Sequence, residues 1–127
     1  MPAEEDVAEK KLTALLRRDR RYPREAYEFI HEALGYTSRS LQRSGHVSGQ
    51  ELCEGARQLA VERFGYLART VLESWNVRRT DDFGNLVYNL IEVGLLHKTE
   101  GDSITDFHEV YDFAQAFAEF RIELETR

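Results

Sequence analysis

The chain has 127 residues, 42% hydrophobic and 31% charged, with 17 Lys and Arg against 23 Asp and Glu and a net charge of −6. That length suits one domain able to bury roughly two thirds of its unfolded surface without a metal or disulfide staple. A lone cysteine, Cys53, excludes an internal disulfide framework, the charged first twenty residues exclude a signal-peptide apolar core, and no apolar run approaches the roughly 18–20 residues of a membrane span.

In chain order, residues 4–18 read as a helix. Val7, Lys11, Leu12, Leu15 and Leu16 fall near helical spacing, Glu4, Glu5 and Asp6 sit at the positive end of the dipole, and Arg17 and Arg18 at the other. Residues 1–20 form a helix expected to attach loosely to the rest. Pro23 reads as the first residue of a second helix, where its missing N–H is no loss. Its inward stripe is Ala26, Tyr27, Ile30, Ala33, Leu34, Thr37 and Leu41, and Gly35 marks a kink or an early end. Gly45 breaks the pattern, and His46-Val47 reads as a short extended piece.

Ser48 and Glu51 have capping-box spacing. The helix they open keeps Leu52, Ala56, Leu59, Ala60, Phe64, Leu67, Ala68, Val71, Leu72 and Trp75 on one face. Gly65 leaves open one kinked helix or two abutting ones. Thr80 reads as the cap of the next helix, with Asp81 and Asp82 in its first turn and Phe83, Leu86, Val87, Leu90 and Ile91 as its stripe. Gly94 followed by Leu95 has the form of a Schellman stop. Leu59, Phe64, Leu72, Trp75, Leu86 and Leu90 are expected to share one buried cluster.

Beyond Gly94 two readings are open. In one, residues 95–99 and 108–111 pair as a β-hairpin around Glu100-Gly101-Asp102, and Asp112 caps a last helix whose inner face is Ala114, Phe117, Ala118 and Ile122. In the other, 103–124 is one helix, since Ile104, Phe107, Tyr111, Ala114 and Ala118 are spaced 3, 4, 3, 4. The hairpin is favoured because an aspartate in mid-helix competes with the backbone and serves better as a cap. The fold expected is therefore a mainly α single domain of about five helices with one small hairpin, in winged-helix-like element order in its C-terminal half.

Charge is unevenly placed: residues 1–79 hold 14 basic and 12 acidic side chains, residues 80–127 hold 3 and 11. The helix 81–93 carries no Lys or Arg and the expected wing tip carries Glu100, Asp102 and Asp106. Phosphates would be repelled from both, so specific duplex-DNA binding is not expected. The densest feature is basic. Arg17, Arg18, Arg20, Arg21 and Arg24 surround one aspartate, with Tyr22 among them. Guanidinium forks and a stackable ring suit an acidic protein surface, phosphates or single-stranded RNA. The plainer reading is a solvated helix end.

The stretches Arg-Tyr-Pro-Arg-Glu-Ala-Tyr-Glu-Phe (21–29), His-Val-Ser-Gly-Gln-Glu-Leu (46–52), Arg-Phe-Gly-Tyr-Leu-Ala-Arg-Thr-Val-Leu-Glu-Ser-Trp (63–75), Asp-Asp-Phe-Gly-Asn-Leu-Val-Tyr-Asn-Leu-Ile-Glu-Val-Gly-Leu-Leu (81–96) and Val-Tyr-Asp-Phe (110–113) resemble a small bacterial family of uncharacterised proteins best known from planctomycetes and verrucomicrobia. The resemblance implies a bacterial, single-domain protein and brings no activity, cofactor or site.

Catalytic patterns are sparse. His31, His46, His97 and His108 form no Cys-x-x-Cys, His-x-x-x-His or His-x-x-Glu-His arrangement. Only His97 and His108, facing across the hairpin near Asp106 and Glu109, would suit zinc, and two polar side chains on an exposed hairpin is the plainer reading. Cys53, early in its helix, reads as structural rather than as a thiolate nucleophile. The serines lack a Gly-x-Ser-x-Gly context, and the glycines form no phosphate loop. No cofactor or metal is expected. The function expected is a non-catalytic protein–protein interaction module in a bacterial cytoplasm, with a protein partner or a second copy bound through Arg17, Arg18, Arg20, Arg21, Tyr22 and Arg24. The alternative is an RNA-binding or ribosome-associated accessory protein using the same segment.

Overall fold

The structure of the protein, a computed structural model, describes residues 4–43 and 45–118, with side chains from Asp6 onward. Its helices are α1 (Glu4–Arg18), α2 (Arg24–Ser40), α3 (Gly49–Phe64), α4 (Ala68–Ser74), α5 (Thr80–Glu92) and the single turn α6 (Phe113–Ala116). Among the described residues two 3-10 turns, Gly65–Leu67 and Ile104–Phe107, complete the regular elements. Among the described residues no helix is long and apolar enough to cross a membrane.

The largest packing surface is between α2 and α3, and α5 lies across α2. The stripes expected from spacing supply the core: Tyr27, Ile30, Leu59, Leu72, Phe83, Leu86 and Leu90 are buried in one cluster, with Phe64 and Trp75 half-buried at its edge. Burying each such side chain contributes about 1.5–3 kcal/mol. Phe64, Trp75 and Phe29 contact one another with ring centroids 5.7–6.2 Å apart. α1 is seated through Leu15, which is fully buried, with Leu12 and Leu16 beside it.

α2 and α3 touch closely because Gly55 faces Thr37. A Cβ at Gly55 would overlap the Thr37 side chain, and the buried Thr37 hydroxyl donates to the Ala33 carbonyl at 2.7 Å instead of competing with α3. Gly35 does not end α2, which runs on to Ser40. Pro23 is the residue before the helix, extended at ψ 169°, and not its first turn.

The capping box forms as its spacing requires: the Glu51 N–H donates to Ser48 Oγ at 3.1 Å and the Ser48 N–H to Glu51 Oε1 at 2.9 Å. Gly65 breaks the long stripe into two helices, since its φ of 60° and ψ of −135° lie outside helical space. Gly94 is a Schellman stop, with the Leu95 N–H on the Leu90 carbonyl at 2.8 Å and the Gly94 N–H on that of Ile91 at 3.0 Å.

The β-hairpin is absent, and with it the winged-helix arrangement; no strand occurs among the described residues. A turn does form at Thr99–Asp102, where the Asp102 N–H reaches the Thr99 carbonyl at 3.0 Å. Its flanks do not pair because their backbone groups are taken elsewhere. The Thr80 hydroxyl donates to the Phe107 carbonyl at 2.7 Å and accepts from the Val110 N–H at 3.1 Å. Thr80 is therefore the first residue of α5, turned inward, and not its cap. Phe107 packs on Gly84, where a Cβ would come within 2.9 Å of the ring. That close seat requires the tight 3-10 turn in place of a strand. A single helix over 103–124 also fails, because His108 is extended and Glu109 has φ 47°. Asp112 does cap the last helix, accepting from the Gln115 N–H at 3.2 Å. Ile122 lies outside the described residues.

Candidate functional site

The basic segment leaves α1 and enters the α1–α2 loop. Asp19, its one acid, organises that loop by accepting from the Arg21 backbone N–H at 3.0 Å and from the Arg21 guanidinium at 2.7 and 3.0 Å. It also accepts from the Asn89 amide of α5 at 2.9 Å. The Arg21 pair is the main reason the Asp19 carboxyl lies well below the usual carboxylate range, against the opposing effect of burial.

Tyr22 turns inward. It is 3% exposed, donates through its hydroxyl to Asp82 Oδ1 at 2.5 Å and accepts from the Asn85 amide at 3.0 Å. Burial first, then the Asp82 carboxylate, raises its pKa. The Arg21 guanidinium lies over its ring, 5.2 Å from the centroid, and the Tyr27 ring meets it edge-on.

The other Asp82 oxygen accepts the backbone N–H groups of Arg78 and Arg79 at 2.8 and 3.2 Å. Asn76, in the left-handed region at φ 64°, donates from its side chain to the Arg21 carbonyl at 3.2 Å and accepts from Arg78 Nε at 3.3 Å. Two loops far apart in sequence, 19–22 and 76–79, are thereby locked into one surface. It carries Arg20, Arg21, Arg78 and Arg79, all exposed, with Arg17 exposed at the nearby end of α1.

The sequence segment is thus divided by the structure. Arg21 is committed to Asp19, Arg24 to Glu9 at 2.6 Å and Arg18 to the exposed Glu92 at 3.3 Å. Exposed pairs of this kind contribute little. Among the described residues Arg17, Arg20, Arg78 and Arg79 have no carboxylate within ion-pair distance. Arg78 and Arg79, excluded from the sequence segment, belong to its surface. The turn-forming Asn76 is the only local signal, and it does not say where the turn docks.

The catalytic candidates are not assembled. Cys53 is fully buried, and burial pushes its thiol up to about 12. His97 and His108 do not face each other: His108 Nδ1 lies 3.0 Å from Asp81 Oδ1, while His97 borders a different cleft. Among the described residues no three His, Cys, Asp or Glu side chains gather to hold a metal.

No family model, no curated protein and no solved structure matches this chain.

Proposed function

We propose that the protein is a non-catalytic interaction module of the bacterial cytoplasm that binds an acidic protein surface through the joined 17–21 and 76–79 face. The observation that carries this reading is the joining of the 19–22 and 76–79 loops through Asp82 and Asn76, on which Arg20, Arg78 and Arg79 are exposed with no carboxylate within ion-pair distance among the described residues. Guanidinium forks held in place match carboxylates bidentately. The burial of Tyr22 favours protein over RNA, because the aromatic ring of the basic segment is not free for a base to stack on. Nearby Asp81 and Glu92 suit a discrete acidic patch better than a continuous phosphate backbone. The bacterial host rests on the sequence resemblance and is part of the same proposal.

The test compares an aspartate- and glutamate-rich peptide with a single-stranded oligoribonucleotide by fluorescence anisotropy. The peptide should bind, weaken steeply between 0.01 M and 0.1 M salt as the Debye length falls from about 30 Å to about 10 Å, and be lost in Arg20→Glu with Arg78→Glu. Both positions are exposed, so the fold should survive the change. Tighter binding of the RNA, or peptide binding indifferent to the charge reversal, would refute the reading. Sedimentation across the same salt range asks whether the acidic surface belongs to a second copy.

A further inference from the structure

Beside the basic face, α5 turns a polar stripe outward. Asn85, Tyr88, Asn89 and Glu92 follow at helical spacing and line a groove of about 510 Å³ between the 19–22 loop and the 98–104 segment. Arg21 borders it from the loop, Lys98 and the exposed Ile104 from the segment. The groove therefore continues the surface that carries Arg20, Arg78 and Arg79, with Arg21 common to both. Glu92, the one acid lining it, is paired with Arg18. Among the described residues Lys98 has no carboxylate within ion-pair distance. Arg21 meets Asp19 through Nε and Nη2, which leaves Nη1 without a partner among the same residues.

The two asparagines are anchored from within. The Asn85 amide nitrogen donates to the Tyr22 hydroxyl at 3.0 Å. The Asn89 amide nitrogen donates to Asp19 Oδ2 at 2.9 Å and to the Tyr27 hydroxyl at 3.0 Å. Neither amide oxygen has a partner among the described residues. Neither is shut off from solvent, since the Tyr88 hydroxyl is the one side-chain polar atom among those residues that is both buried and unpaired. Two held carbonyl acceptors thus stand open on one helix face, four residues or about 6 Å apart along the axis. Along one edge of an extended chain, N–H groups recur every second residue, about 6.6–6.8 Å apart.

We propose that this groove binds an extended acidic segment of the partner, whose alternate main-chain N–H groups donate to Asn85 and Asn89. The inference rests on the acidic-partner reading above and gives that partner a conformation. A helical partner keeps its N–H groups for its own carbonyls, and a phosphate backbone has none to give. Lys98 and the free Arg21 nitrogen suit carboxylates of the segment, with Arg20, Arg78 and Arg79 available to further ones. Ile91 and Ile104 offer an apolar side chain a surface to cover. Main-chain bonds give affinity and alternate side chains give specificity, as when a strand adds to a sheet edge; here the asparagines of a helix take the place of the edge.

The test is a chemical-shift titration of the whole chain with two aspartate- and glutamate-rich peptides that carry one central leucine. In the second peptide the central amides are replaced by esters, which keeps every charge and removes the N–H donors. The ordinary peptide should shift the Asn85 and Asn89 carboxamide signals and the amides of Ile91, Lys98 and Ile104. The ester form should bind about thirtyfold more weakly, the margin of two hydrogen bonds. Asn85→Ala with Asn89→Ala should bind both peptides alike, with the affinity of the parent for the ester form. Should that variant fail to fold, the two peptides compared on the parent, read at the two carboxamide signals, decide the point. Equal binding of both peptides by the parent, or an ester penalty that persists in the double variant, would overturn the proposal. Shifts confined to Arg20, Arg78 and Arg79 would overturn it and leave the acidic-partner reading standing, whereas binding of neither peptide would overturn both.

Discussion

The Tyr22 hydroxyl and the Asp82 carboxylate, 60 positions apart, meet at 2.5 Å, and that bond fastens the α1–α2 loop to the N-terminus of α5. Tyr22→Phe keeps the buried ring and removes only the hydroxyl, leaving the Asn85 amide without its acceptor. The expected loss is about 1–3 kcal/mol, read from urea melts with an unchanged m-value. A loss near zero would mean that water replaces the hydroxyl at that junction.

Thr80 replaces a hairpin. Its hydroxyl serves the Phe107 carbonyl and the Val110 N–H together. Thr80→Val preserves shape and strands both groups, so a loss of about 2–6 kcal/mol is expected, twice the cost of one stranded group. Thr80→Ser should retain most of the stability. Equal stability of the valine and serine variants in thermal melts would show that the hydroxyl does not hold the 104–112 segment.

The contrast between these residues shows what the sequence made legible. Ser48 with Glu51, Gly94 with Leu95 and Asp112 with Gln115 are local devices, each satisfied within a few residues, and spacing alone identifies them. The stripes carrying Leu59, Leu72 and Leu86 are legible for the same reason, because a helix presents one face whatever it packs on. Thr80 fails as a cap because its hydroxyl finds partners 27 and 30 positions away, and tertiary hydrogen bonds leave no periodic trace. The Glu100-Gly101 signal marks the turn that forms at Thr99–Asp102 but does not make a hairpin of it, since a turn does not state whether its flanks have free backbone groups. The basic segment was visible as composition. Its division into buried Tyr22, paired Arg21 and exposed Arg20, and its union with Arg78 and Arg79, depend on Asn76 and Asp82 meeting it in space.

Acid should weaken the α3 cap. Hydrogen bonds from Arg43 first, then from the Ser48 backbone, lower the Glu51 carboxyl from about 4.5 to about 2. A carboxyl held low in the folded state stabilises it above the unfolded pKa, and that stabilisation is lost as pH falls through the folded value. Glu51→Gln retains the capping acceptor and loses the ion pair. Its stability deficit against the parent should be constant above pH 5 or so and shrink between about 4.5 and about 2. The effect is small, because the side chain is 32% exposed and screened by salt. A deficit that stays unchanged down to pH 2 would remove Arg43 as its source.

Cys53 should be chemically silent. With its thiol buried and pushed up to about 12, very little thiolate exists at neutral pH. A disulfide reagent should label it at the rate of opening of the native state and rapidly once urea unfolds the chain. Fast stoichiometric labelling of the folded protein would contradict the packing of α3 at that position.

The contact between Gly55 and Thr37 also constrains which sequences this architecture admits. Neither position is free alone: alanine at 55 collides with threonine at 37, whereas a smaller residue at 37 opens a void facing Gly55. The two sites form one unit of inheritance, in which a methyl group gained on α3 has to be matched by atoms given up on α2. Homologues that keep this helix pairing should vary at the two positions together, with bulk passing from one to the other while their sum holds steady.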